Sequence, residues 1–353
     1  MNELRTILSD VVTRLFAERV TRELSEAAER GGWPAALWQA VEENGLTLPL
    51  VPEAKGGAGG TWGDAYVVVS AVGRHAVPLP LPETIVASWL LAEAGLEVPA
   101  GPLTVAPTQR DERLRLVRRD GGVRLDGTAA RVPWGRAAEH VVVVDEADGR
   151  VTVALVAAGD ARVTPDTNIA REPRDALAFA GAPVLAAAPA AAGVPRDALR
   201  LYGALVRAAQ MAGGLEAVLG LATRYATERR QFGKPIGQFQ SIQQNLAVLA
   251  GQAAAAGIAA ANAFRAADRG DCWFETAVAK VRVGEAAGVG ASIAHQVHGA
   301  IGFTYEHQLQ FVTRRLWSWR AEFGGESEWA ALLGRSVAER GAETLWPLLT
   351  ALR

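Results

Sequence analysis

Apolar positions at the start of the chain recur at helical spacing: Ile7, Leu8, Val11 and Leu15, then more loosely Leu37, Val41 and Leu46. Between these runs, Gly31-Gly32-Trp33-Pro34 stops one helix and starts another, because Pro34 suits a first helical turn. A Pro/Gly loop at 46–65 ends in a helical pattern from about Asp64 to Arg74, and a further helix is expected at about 82–94. From 101 to 183 the period changes. RLRLVRR, GVRLDGTAARV, EHVVVVDEADGRVTVALV and DALAFAGAPV alternate or run β-branched between DGG, DG and ADG turns. They predict antiparallel strands, and the alanine-rich 184–194 reads as a linker. Long helices return at about 197–227, 238–268, 273–299 and 307–321, with a last one near 326–350. The first shows Leu201, Leu205, Ala208, Ala212, Leu215 and Leu219, a face wide enough for a bundle, and Gly213, Gly214 and Gly220 permit close helix approach.

The order predicts an α+β fold with segregated parts: an N-terminal helical domain at 1–100, a middle antiparallel β domain at 101–183, and a C-terminal four-helix-bundle domain at 184–353. It disfavours a dinucleotide-binding βαβ fold. The glycines of 56–60 follow no strand and form no G-x-G-x-x-G, so they make a poor phosphate cradle.

Composition narrows the function. The chain has 353 residues, half of them hydrophobic, and a net charge of −2, which gives no positive field for general nucleic-acid binding. Its basic residues are almost all arginine; the lysines are Lys55, Lys234 and Lys280. The single cysteine, Cys272, excludes an intramolecular disulfide and a cysteine-built metal cluster, and the histidines form no metal-binding pair. The charged N-terminal segment lacks the apolar core of a signal peptide. The most apolar stretch, 247–264, is alanine-rich and contains Gln252, so a membrane span is not expected and a cytoplasmic protein is.

The chemistry-bearing stretch is ATRYATERRQFGKPIGQFQ at 222–240. A helix ends near Arg230, the chain turns through Gly233-Lys234-Pro235, and a helix restarts. Arg229 and Arg230 offer guanidinium forks, Phe232 a stacking surface and Gln240 an amide directed back at the loop. That set suits a nucleotide diphosphate, although a solvated helix end with a core phenylalanine has the same letters.

With QVHGAIGFTYE at 296–306, this stretch resembles the acyl-CoA dehydrogenase family, and the order of helical, β and helical parts matches. The loop LPLVPEAKGGAGGTWGDA and the segment VRLDGTAARVPWGRAAEHVVVV at 123–144 extend the resemblance over nearly the whole chain. The resemblance implies FAD bound between subunits of a dimer of dimers. Arg229 and Gln231 would then meet the pyrophosphate, Phe232 the adenosine end, and Gln240 would hydrogen-bond nearby. Gln296, Gly299 and Ala300 would meet the ADP half from a neighbouring subunit, with Ala300 in place of a usual glycine. Val132, Pro133 and Trp134 would lie along the isoalloxazine ring. His298 reads better as a hydrogen-bonded loop histidine than as a catalyst.

The family removes the α-proton of an acyl thioester with a glutamate while a hydride leaves the β carbon for the flavin. Alignment from Gly302 puts Phe323 at the base position, and the alternative place on the first bundle helix, near Gly203, is not acidic either. Glu322 and Glu326 are the candidate replacements, with Glu328 nearby; surface or helix-start acids are the competing explanation. The family's Gly-Ser-Asp flavin loop is missing from VAPTQRDERLRLVRR at 105–119, where Thr108 stands in for the first threonine. Trp317 and Trp319 are placed for an acyl-pocket wall or, more commonly, for helix packing.

Three functions compete. The first is an FAD-dependent acyl-CoA dehydrogenase with a relocated base, acting on an acyl-CoA or acyl-carrier thioester and passing electrons to an electron-transfer flavoprotein. The second is a non-catalytic partner subunit of a heteromeric enzyme. The third is a flavin oxidase or hydroxylase on the same fold.

Overall fold

The computed structural model describes residues 3–108, 112–119, 121–147 and 149–350. The chain forms two compact units, Met1–Val72 with Ala76–Gly203, and Gly73–His75 with Ala204–Arg353.

Five helices open the chain: α1 (Glu3–Arg19), α2 (Arg22–Glu29), α3 (Ala35–Glu43), α4 (Trp62–Arg74) and α5 (Leu81–Glu93). The stripe that α1 buries is Leu8, Val12 and Phe16. Of the positions that the spacing predicts, Leu8 is buried, Val11 and Leu15 are half-buried and Ile7 is exposed, so the buried face is centred one position on, at Val12 and Phe16. Phe16 supplies the larger side chain, which explains the choice. The Gly-rich loop folds onto itself. The amides of Gly57, Ala58, Gly59 and Gly60 bond to carbonyls of Pro52, Leu48, Val51 and Pro49. A Cβ at Gly57 would stand 2.1 Å from the Val51 oxygen, so this glycine serves a turn, and its amides are not free to hold a phosphate.

The strands are β1 (Leu103–Val105), β2 (Arg113–Arg119), β3 (Gly122–Pro133), β4 (His140–Ala147), β5 (Arg150–Ala157), β6 (Arg162–Thr164) and β7 (Arg174–Pro189). They form one sheet in the order β1-β4-β5-β7-β3-β2, with β6 on β7. Two expectations are corrected here. The sheet is mixed, because β1 pairs β4 in parallel. Residues 184–189 are the second half of β7, paired with β5, and not linker. Alanines carry little strand propensity, and ladder pairing overrode it. The core of this sheet gathers Leu125, Val132, Val141, Val143, Val156, Leu177 and Phe179. The departure expected at 105–119 falls partly on 109–111, outside the described residues.

The remaining helices are α6 (Ala198–Glu228), α7 (Gln240–Ala267), α8 (Trp273–His298), α9 (Leu309–Ala321), α10 (Glu326–Arg340) and the short α11 (Leu345–Thr350). A two-residue hairpin, β8 (Arg230–Gln231) and β9 (Lys234–Pro235), joins α6 to α7. The helix expected near 326–350 is interrupted at Gly341, at φ 90°, between α10 and α11. A Cβ at Gly214 would lie 3.0 Å from Leu316 Cδ2, so this glycine does permit the approach of α9, whereas Gly220 faces open space. Among the described residues, α6 and α7 are long and apolar enough to cross a membrane by length and composition alone. The apolar stretch of α6 is mostly buried. α7 buries one stripe, Leu249, Ala253, Ala256, Ala260, Ala263 and Phe264, and leaves Val248 and Ile258 exposed.

Candidate active site

The two sequence motifs meet within the second unit. Tyr225, one turn before Arg229, stacks on His298 with ring centroids 4.6 Å apart, and His307 packs edge-on against His298 at 4.5 Å. His298 Nδ1 lies 2.7 Å from the Ala294 carbonyl oxygen, as expected of a hydrogen-bonded histidine. His295 bonds Thr313 Oγ1 at 2.9 Å and is sandwiched between Phe303 and Trp317. Burial lowers the pKa of His295, His298 and His307, so the cluster is neutral at physiological pH. Trp317 thus packs on a histidine, and Trp319 is buried in the helix core.

Around this clasp the candidate cofactor residues face solvent. Arg229, Gln231, Phe232, Gln240, Gln296, Gly299 and Ala300 are all exposed. Among the described residues, no hydrogen bond or ion pair engages the side chains of Arg229, Gln231, Gln240 or Gln296. The amide that does reach back to the loop belongs to Gln243, whose Nε2 donates to the Gly237 carbonyl at 3.0 Å, and not to Gln240. Gly299 has φ 65° with open space beside it, so the methyl of Ala300 follows a turn only glycine makes easily.

Phe232 is 91% exposed at the tip of the β8–β9 hairpin. It has φ 50° and Gly233 has φ 81°, the two positive values of a type I′ turn. Asparagine favours that first position, and phenylalanine there is strained by about 1–2 kcal/mol. Its one ring contact is edge-on to Phe239 at 6.1 Å, so an exposed apolar ring held in a strained turn gains little for the isolated chain, which points to a ligand or partner. Trp134 (φ 57°) and Phe323 (φ 55°) share this backbone state. Val132, Pro133 and Trp134 sit at the end of β3, buried in the first unit, with Thr104 Oγ1 donating to the Pro133 carbonyl and Trp134 N donating to the Pro173 carbonyl.

The expected base region lies between α9 and α10. Glu322 leaves the helix with φ −73° and ψ 140°, and Phe323 and Gly324 then adopt positive φ. Arg207 of α6, 1% exposed, donates from Nε to Glu322 Oε2 at 2.6 Å, also bonds Gln210, and stands 5.4 Å from the Phe323 ring centroid. Arg320 Nε donates to Glu326 Oε1 at 2.5 Å, tying the two ends of the turn together. Trp329 Nε1 donates to the Phe323 carbonyl at 3.0 Å. Glu326 and Arg320 lie directly on the α8 backbone: Cβ atoms at Gly284 and Gly288 would stand 2.3 Å from Glu326 Oε1 and 2.7 Å from Arg320 Nη1. Arg207 and Lys280 were not anticipated at this corner, since they lie 115 and 42 positions from Glu322 and no motif contains them.

Comparisons with known proteins agree with this layout. The acyl-CoA dehydrogenase N-terminal domain matches residues 2–97, and the acyl-CoA dehydrogenase C-terminal domain matches 199–334. The acyl-CoA dehydrogenase FadE34 of Mycobacterium tuberculosis is 32% identical over 331 residues, covering 89% of this chain but 44% of that longer protein. The acyl-CoA dehydrogenase IpdE2 of the same organism is 30% identical, covering 89% of this chain and 91% of its own. In the crystal structure of its ChsE4–ChsE5 complex, a chain 26% identical superposes with a TM-score of 0.87 over 96% of this chain and 98% of its own. On these matches, which span most of the chain, the protein belongs to the acyl-CoA dehydrogenase family of flavin-dependent oxidoreductases.

Proposed function

We propose that this chain holds FAD and serves as the base-lacking subunit of a heteromeric acyl-CoA dehydrogenase, which forms the α,β double bond of an acyl thioester. The observation that carries this reading is the α9–α10 turn. Its two candidate bases, Glu322 and Glu326, are each engaged by an arginine at 2.6 and 2.5 Å, and a phenylalanine stands between them. A carboxylate whose partner is the 1%-exposed Arg207 is held as a structural counterion. Withdrawing it to take a substrate proton would strip the buried guanidinium of the carboxylate 2.6 Å away.

The residues present fit FAD. Arg229, Gln231, Gln240 and Gln296 are unengaged donors, a set suited to a diphosphate, and Phe232 offers a free ring face. When bound, FAD supplies the hydride acceptor. Arg229 and Gln231 would then hold the pyrophosphate and Phe232 would stack on the adenosine end. Gln296, Gly299 and Ala300 face outward, as residues completing a neighbour's site would. Val132, Pro133 and Trp134, buried at the end of β3, would lie along the isoalloxazine. The proton is taken by an acid of the related chain. Support for two chains comes from the relatives: one has more than twice this length and another belongs to a named complex. On this reading the carrier is CoA or a carrier protein and the electron acceptor is an electron-transfer flavoprotein, as the family resemblance implies.

The test is expression of the chain alone and together with a related acyl-CoA dehydrogenase chain, with flavin released and counted in each. The proposal expects little flavin in the chain alone and stoichiometric FAD in a mixed assembly. A stable homotetramer holding one FAD per chain and turning over substrate contradicts it.

A further inference from the structure

Arginine is the default cation of this chain, even at buried positions such as Arg174, Arg207 and Arg315. Lysine occurs three times, and Lys280 is 1% exposed. Its Nζ donates to the Trp319 and Arg320 carbonyls at 3.1 and 2.8 Å, at the end of α9. Lys55 does the same at the end of α5, donating to the Ala92 and Leu96 carbonyls at 3.0 and 3.4 Å. A helix end leaves unsatisfied carbonyls and a negative dipole end, and a compact tetrahedral ammonium can aim two protons at neighbouring carbonyls. A planar guanidinium is bulkier. One and two turns along α8, Gly284 and Gly288 leave no room for a Cβ beneath Glu326 and Arg320 as these side chains stand.

We propose that Lys280 is a positioning residue: its ammonium ends α9 and thereby sets the turn that carries Glu322 and Phe323. The other charged groups around it are Glu322 in the turn, Glu326 on α10, Arg207 on α6 and Arg320 on α9. Burial, the largest influence, lowers the Lys280 pKa to about 7, while the two glutamates oppose that shift and the two arginines add to it. As pH rises through neutrality, the ammonium loses its charge and its hold on the carbonyls weakens. The inference rests on the proposed function only for the meaning of the turn; its geometry stands by itself.

The experiment is hydrogen exchange of amides 321–326 in the purified full chain from pH 6 to 8.5, corrected for the intrinsic pH dependence of exchange. Wild type, Lys280→Met and Lys280→Arg are compared. Wild-type exchange is expected to rise at least fivefold across that range. Both variants are expected to exchange fast, with no pH dependence. Wild-type protection that is flat with pH, or wild-type-like protection in Lys280→Met, overturns the proposal. If either variant fails to fold, the wild-type series still decides. Fast-exchanging variants beside an assembly that no acyl thioester reduces would sink the proposed function and leave this inference standing; the reverse outcome would separate them equally.

Discussion

Replacing Phe232 by asparagine should stabilise the isolated chain and weaken its hold on flavin. The turn strain of about 1–2 kcal/mol is removed, because asparagine adopts the left-handed state readily. The ring is 91% exposed, so almost no burial is lost. The one ring contact, edge-on to Phe239 at 6.1 Å, offsets about 0.5–1.5 kcal/mol. The net change lies between a loss of about 0.5 and a gain of about 1.5 kcal/mol, centred on a small gain. Stacking of an adenine on an aromatic ring contributes about 1–3 kcal/mol, so flavin affinity should fall roughly 5- to 150-fold. Denaturant unfolding of the flavin-free chain reads the first quantity, and fluorescence titration with FAD in the assembled protein reads the second. Unchanged affinity, or destabilisation of the flavin-free chain by more than about 1 kcal/mol, would refute the assignment of a strained but useful turn.

Glu322→Gln should cost the chain about 3–5 kcal/mol in chemical denaturation by removing the carboxylate that faces the buried Arg207, while a mixed assembly that still folds keeps its desaturation rate. Gly284→Ala should destabilise by about 1–3 kcal/mol, because its methyl meets Glu326 at 2.3 Å; an unchanged denaturation midpoint would contradict that packing. Burial holds the His298 pKa below the ordinary histidine value of about 6.5, so the folded chain binds fewer protons than the unfolded one. The stability this neutral histidine contributes is present above about pH 6.5 and is lost as pH falls through its folded value, readable as falling thermal midpoints that His298→Phe flattens. Ile258, 69% exposed on the open face of α7, should lie in a subunit interface. Ile258→Asp then lowers the assembly mass in light scattering without unfolding the chain.

The helices of the second unit were legible because each carries a long apolar period and ends at glycine, proline or a polar turn. Predicted spans such as 273–299 fall within a residue or two of α8 at Trp273–His298. The second half of β7 was illegible, since alanine at 186–188 says nothing about strands until β5 lies beside it. The cofactor loops were legible as motifs, yet composition did not show that Gln243, not Gln240, closes the loop. The α9–α10 corner was least legible. Arg207, Lys280 and Glu322 are far apart in sequence, and a buried arginine has the same letter as a surface one. The one available signal was the rarity of lysine among the basic residues.

The most direct measurement is anaerobic titration of the flavin absorbance band with an acyl-CoA, using the chain alone, reconstituted with FAD, and then the chain copurified with a related acyl-CoA dehydrogenase subunit. The account predicts no bleaching of the chain alone and full bleaching of the mixed assembly, persisting in Glu322→Gln. Bleaching of the chain alone that disappears in Glu322→Gln or Glu326→Gln would show that one of these carboxylates is the base, and would contradict the account.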